Sequence, residues 1–230
     1  MSRDLYVLDL DGMQQSAVDP ADPTYLAFDY MVRIGRLIDA MPPGRLRTLH
    51  IGGAAMSLPR FLAARRPGSA QIVLEPAAEV IDRVRAELPL PPRSGIKVRP
   101  VDGLRGIAQI RDSSQDLVIL DAFEHGVVPS ELTTPAFVEQ VQRVLADGGV
   151  FVANLVDRAP FAGVRSFVAS VRTLGEVMVG AEPATLKGRR PGNLLVAAGA
   201  LPTEPWGVPS PMEYRVYAGR AVSDSFGGGR

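Results

Sequence analysis

The chain has 230 residues, 46% of them hydrophobic, enough to bury one full α/β core and too few for a second independent domain. Lysine plus arginine and aspartate plus glutamate each number 25, so the summed charge is zero and no global field gathers nucleic acid or an anionic membrane. There is no cysteine and there are only two histidines, His50 and His125, so disulfides and thiolate zinc are excluded and no metal is expected.

The N-terminus, MSRDLYVLDLDG, places acids where a signal peptide needs a positive segment, and no stretch approaches the ~18 apolar residues of a membrane span. The expected location is the cytoplasm. DLYVLDL at residues 4–10 reads as a strand, and Asp11-Gly12 turns it into a short return segment through Gln15, giving an N-terminal hairpin over residues 1–20. After a proline linker, Thr24 is a candidate cap for a helix whose apolar positions Tyr25, Phe28, Val32, Leu37 and Met41 follow helical spacing. From Arg47 short apolar runs alternate with helices: TLHI, a helix from Ser57, QIVL, a helix over 77–87, IKVR, a helix near Leu104, DLVIL, a helix from Ser130, GVFVANL and a helix near Phe161.

Strands that are apolar throughout and separated by helices predict a mostly parallel sheet covered on both faces. Residues 176–179 and 193–198 are separated by AEPATLKGRRPG, too short for a crossover helix, and so read as an antiparallel pair. The expected fold is therefore α/β and Rossmann-like over residues 21–200, with residues 201–230 an extended cover strap whose end is disordered.

In such sheets ligands sit beyond the carboxyl ends of the strands, where strand order reverses. Four stretches end there. Gly52, Gly53 and Ala54 form a small-residue turn that lets backbone approach a ligand or pack tightly. Glu75 ends the second strand of this unit, where an acid accepts ribose hydroxyls or caps the next helix. Asp102, followed by Gly103, is placed to receive an adenine amine, to cap a helix, or both. Asp121 closes an apolar strand, a position that desolvates a carboxylate and suits it to take a proton. Glu124 and His125 come next in the loop; His125 reads as a surface residue and His50 as a satisfied core histidine. Lys187, Arg189 and Arg190 form a basic turn between the two late strands.

Together these segments resemble the spermidine synthase family, aminopropyltransferases built on the class I S-adenosylmethionine methyltransferase fold. LDGMQQS resembles the family's hairpin and carries its nucleoside-contacting glutamine onto Gln15. DPTY carries its amine-pocket tyrosine onto Tyr25. HIGGAAM stands where a GGGDGG loop is found, Glu75 matches the ribose acid, and VDGLRGI carries the adenine contact onto Asp102 and Gly103. DLVILDAF and the succeeding VVPSELTTPAFVEQVQRVLADGGVFVANL place the catalytic acid at Asp121. The resemblance implies a seven-stranded sheet, a nucleoside ligand (S-adenosylmethionine, its decarboxylated form or methylthioadenosine) without a metal, an amine acceptor of unknown identity, and a homodimer.

Departures from the pattern bear on the reaction. Ala55 replaces the loop aspartate, Ala27 replaces an acid two positions past the tyrosine, Glu124 stands in for a second aspartate beyond Asp121, and KGRRPG replaces an aromatic loop with positive charge. Aminopropyl transfer is the first expectation. Methyl transfer to a small or anionic acceptor, with Arg189 or Arg190 neutralising the cofactor's carboxylate, is a second. A non-catalytic binding protein is a third.

Overall fold

The computed structural model describes residues 3–10, 13–203, 205–206 and 213–227, with the side chains of residue 10 and of residues 13–15 outside the description. Two antiparallel strands, β1 (Tyr6–Leu10) and β2 (Met13–Val18), form the N-terminal hairpin. Alternation along β1 and β2 turns Leu8 and Val18 inward, where they pack with Ala55, Met56, Val73 and Val80. The hairpin is thereby fastened over the small-residue turn, and the buried hydroxyls of Ser16 and Ser57 meet at 2.7 Å beneath it.

Helix α1 spans Asp29–Ala40. It starts a turn later than the Thr24 cap predicts, because Thr24 is engaged with Asp22 through both its amide and its hydroxyl and stays in the linker. The alternating region then gives β3 (Arg47–Ile51), α2 (Ser57–Arg65), β4 (Ala70–Leu74), α3 (Ala78–Glu87), β5 (Ile96–Arg99), α4 (Gly103–Ala108) and β6 (Gln115–Leu120). Residues Ser130–Thr133 form a 3-10 turn, and α5 (Pro135–Val144) comes after it with Thr134 accepting the Phe137 amide as its cap. Beyond it lie β7 (Leu145–Asp157), α6 (Ala162–Val171), β8 (Glu176–Ala181), a one-turn α7 (Pro183–Leu186) and β9 (Gly192–Gly199).

The tail differs from the expected strap. Arg215–Ala218 form β10, which pairs antiparallel with β8, and Arg220–Phe226 form α8. The sheet therefore has eight strands rather than seven, in the order β10-β8-β9-β7-β6-β3-β4-β5. The physical reason is local: β8 would otherwise present an open edge, and α8 buries Val222 and Phe226 against the core that contains Phe161. Trp206, only 2% exposed, closes the other face by donating its indole N–H to the Arg33 carbonyl of α1 at 3.0 Å. Tyr214 lies beneath the same arginine, 4.4 Å from its guanidinium carbon.

Strands β5, β4, β3, β6 and β7 run parallel, while β9 is antiparallel to both β7 and β8. Chain order reverses between β3 and β6, so the crevice that the topology provides lies above these two strands. One core, with Leu49, Val118 and Phe151, lies under α4, α5 and α6; the other, with Ile34, Ile119 and Val152, lies under α1 and α2.

Candidate functional site

A cavity of about 470 Å³ opens at that reversal point. Its walls come from the carboxyl ends of β3, β4 and β6, from the first turns of α2 and α4, and from Tyr30 and Met31 of α1.

Gly52 succeeds β3 with φ of +91°, and its amide donates to Leu74 O at 2.9 Å. A Cβ at position 52 would overlap the Asp121 carbonyl, so the glycine is required by the approach of β6 to β3 rather than by room for a ligand alone. The adjoining turn is held by Glu75. Its Oε2 accepts the amides of Gly53 and Ala54, each at 3.1 Å, and its Oε1 accepts the Ala77 amide at 3.1 Å. A carboxylate has about four lone-pair sites, so Glu75 can hold this turn and still accept a ligand hydroxyl.

Asp102 caps α4, accepting the Arg105 amide at 2.8 Å, and also lines the cavity with Gly103. Capping and facing a ligand are compatible for this residue. Gly103 lies under Ile51 and Leu132, where any larger residue would clash. Glu124 closes a tight turn by exchanging backbone hydrogen bonds with Val127 at 2.8 and 3.1 Å, with His125 and Gly126 at positive φ. Glu124 reaches the cavity wall, whereas exposed His125 does not.

Asp121 is an enclosed acid of the wall. Burial raises its pKa to about 6 against hydrogen bonds from Asn154 and Tyr30 that favour the anion. Asn154 Nδ2 donates to Oδ1 at 3.0 Å and the Tyr30 hydroxyl donates to Oδ2 at 3.3 Å. Burial and the adjacent carboxylate hold the Tyr30 phenol well above its ordinary range, so it remains a donor. His50 lies on the same face of the sheet. Gln71 gives its amide hydrogen to Pro59 O at 3.0 Å, which turns Gln71 Oε1 toward His50 Nε2 at 2.8 Å and assigns the proton to Nε2. Burial lowers the His50 pKa to about 4, so the ring is neutral. It is the satisfied histidine that the sequence suggests, though it also touches the cavity.

The structure thus brings Gly52, Gly53, Ala54, Glu75, Asp102, Gly103, Asp121 and Glu124 to one cavity. Tyr25 is not among the residues that line it: its ring lies 4.1 Å from the Arg3 guanidinium carbon, and Tyr30, five residues on, takes the place beside Asp121. The Gln15 side chain lies outside the described residues. Ala55 is fully buried under the hairpin, so the position that replaces the loop aspartate faces core rather than cavity. Arg190 pairs with Glu182 at 2.6 Å, and neither it nor Arg189 is among the residues that line the cavity.

Three site residues escape sequence reasoning. Tyr30 stands off the apolar stripe of α1, and Glu131 reads as an ordinary acid at a helix start. Asn154 had a signal: it is the one polar residue in the apolar run of β7 between Val150 and Leu155. With Glu131 the described lining holds five carboxylates (Glu75, Asp102, Asp121, Glu124 and Glu131) and no lysine or arginine.

No family model matches the chain. A polyamine aminopropyltransferase of Chromobacterium violaceum is 29% identical over 142 residues, covering 61% of this chain and 53% of that protein. The chain spans about half the length of the curated relatives it matches. The crystal structure of a probable spermidine synthase from Corynebacterium glutamicum superposes with a TM-score of 0.90 at 26% identity, over 99% of this chain and 88% of that one. Human methyltransferase-like protein 13, solved with SAH, gives 0.57 at 22% identity over 76% and 82% of the two chains, a likeness of fold. Fold and topology are those of the Rossmann-like class I methyltransferase fold. Within that fold the chain is similar in sequence to polyamine aminopropyltransferases and in structure to a probable spermidine synthase.

Proposed function

We propose that the cavity binds decarboxylated S-adenosylmethionine and that the protein transfers its aminopropyl group to an amine. The observation that carries this reading is the described lining: five carboxylates, a neutral histidine and no lysine or arginine. Such a wall favours a cationic nucleoside and disfavours the free carboxylate of intact S-adenosylmethionine, which would stand among like charges without a counter-ion. The amides of Gly53 and Ala54, which could otherwise have received that carboxylate, are already engaged by Glu75.

In this reading Glu75 accepts ribose hydroxyls and Asp102 the adenine amine, while the turn over Gly52, Gly53 and Ala54 shapes the floor beneath the sulfonium. The acceptor nitrogen attacks the carbon beside sulfur with its lone pair. The C–S bond breaks with its electrons passing to sulfur, and methylthioadenosine leaves as a neutral thioether. The proton shed by the new secondary ammonium is taken by Asp121, whose carboxylate is the enclosed base at the reversal point. Glu124 contributes negative charge for a cationic acceptor.

Calorimetric titration separates this from methyl transfer. The decarboxylated nucleoside should bind at least ~10-fold more tightly than the intact one, about 1.4 kcal/mol. Equal or reversed preference overturns the donor assignment. Methylthioadenosine production from the decarboxylated donor with a panel of linear diamines then reads the reaction itself, and nucleoside binding without turnover on any amine would leave a binding protein.

A further inference from the structure

Asp121 is gripped at both oxygens by residues from separate elements. Tyr30 comes from the first turn of α1 and reaches Oδ2 at 3.3 Å; Asn154 comes from the middle of β7 and reaches Oδ1 at 3.0 Å. Asn154 is 1% exposed, and its own Oδ1 is buried without a hydrogen-bond partner. An amide that leaves its oxygen orphaned to give its N–H to a neighbour bears the desolvation cost of that oxygen, so its orientation is set by what Asp121 requires. The other titratable groups on the cavity wall are His50 from β3, Glu75 after β4, Asp102 before α4, and Glu124 and Glu131 from the loop beyond β6. All but His50 are acids. None of them stabilises a second negative charge, so the anion at Asp121 depends on its two neutral donors.

We infer that Tyr30 and Asn154 are positioning residues for Asp121, fixing the plane of its carboxylate and sustaining it as an anion inside the protein. This rests on Asp121 being the base of the reaction proposed above. Asn154 also serves the protonated state. When the acceptor's proton forms an O–H bond on Asp121 Oδ1, a half-turn of the amide presents Asn154 Oδ1 to that hydrogen. The orphaned acceptor is then satisfied for as long as the proton stays. Leucine at this position serves neither state and aspartate only the protonated one, whereas asparagine serves both because its two faces are a donor and an acceptor.

The test is a carboxyl ¹³C NMR titration of the full chain without ligand, with the Asp121 resonance identified by its loss in Asp121→Asn. Wild type should titrate near pH 6, the value that burial and the two donors together produce. Asn154→Leu should raise that midpoint by about one unit, and Tyr30→Phe should raise it in the same direction, as expected when a hydrogen bond to the charged form is lost. Midpoints indistinguishable from wild type in both variants overturn the inference. Tyr30→Phe keeps the aromatic packing with Phe28, so it remains readable if Asn154→Leu does not fold. Once turnover is measurable, the acidic limb of the rate profile should move with the NMR midpoint, a shift that a merely structural role would not produce. The two proposals fail separately. Midpoints that shift in a protein that binds no S-adenosyl nucleoside uphold the positioning and remove the reaction, and nucleoside binding with unmoved midpoints does the reverse.

Discussion

Gly52 lies directly beneath the carbonyl of Asp121, so close that the smallest side chain at position 52 would overlap it. This joins the end of β3 to the end of β6 at the point where strand order reverses, and it puts the small-residue turn and the candidate base on one floor.

Gly52→Ala should therefore be among the most damaging small substitutions in the chain. It forces a Cβ into backbone at a φ of +91°, and neither strand can withdraw without breaking the hydrogen bond that the Asp121 N–H donates to Ile51 O at 2.9 Å. A loss of about 3 kcal/mol or more is expected, read as a lowered urea midpoint with unchanged slope. An alanine variant as stable as wild type would mean that the two strand ends are not in contact.

Asp121 makes stability depend on pH with a definite sign. Its carboxyl is raised from 3.8 to about 6 in the folded chain, so below about pH 4 it is protonated whether folded or not. Between about pH 4 and 6 the native state keeps a proton that the unfolded chain releases, and stability falls as pH rises. The loss is complete above about pH 6 and amounts to roughly 2–3 kcal/mol. Asp121→Asn removes this slope, so its denaturation midpoint should gain on wild type from about pH 4 to 6 and level off above. The aminopropyl transfer proposed above should fall by about 10²–10⁴ in this variant, the usual worth of a general base.

Glu75 has two separable tasks. Glu75→Ala leaves the amides of Gly53, Ala54 and Ala77 without their acceptor and should cost about 1–3 kcal/mol of stability together with nucleoside affinity. Glu75→Gln keeps one acceptor oxygen for the turn but cannot accept at both ends. It should melt closer to wild type in differential scanning fluorimetry and still bind the nucleoside about tenfold more weakly by calorimetry. Equal affinity in Glu75→Gln and wild type would restrict this residue to the turn.

Trp206 is the anchor of the tail on α1. Trp206→Ala removes a buried indole and its hydrogen bond to Arg33, and should cost about 3–5 kcal/mol by thermal or chemical denaturation. A change below about 1 kcal/mol would show that the tail contributes little to the fold.

The hairpin β1–β2 leaves Val7 42% exposed on a two-stranded ribbon whose other face is already packed on the domain. We expect it to form part of a homodimer interface, seen as a dimer in sedimentation velocity at micromolar concentration. A clean monomer removes that expectation.

The sequence by itself determined the alternation of apolar strands and helices, hence the parallel half of the sheet, the place of the crevice, and four of its acids: Glu75, Asp102, Asp121 and Glu124. These are legible because each stands at or just past a strand end, where the apolar period stops and the chain must turn toward the next helix. Tertiary structure alone decided the rest. It put Tyr30 rather than Tyr25 beside Asp121, because α1 begins at Asp29 and the helix phase depends on where it begins. It added β10 and α8, four and seven residues long, whose stability comes from the open edge of β8 and from Phe161 rather than from their own pattern. It buried Ala55 beneath the hairpin and brought Asn154 to Asp121 across 33 residues of chain. A side chain's partner in space is set by packing of distant segments, which no local period records.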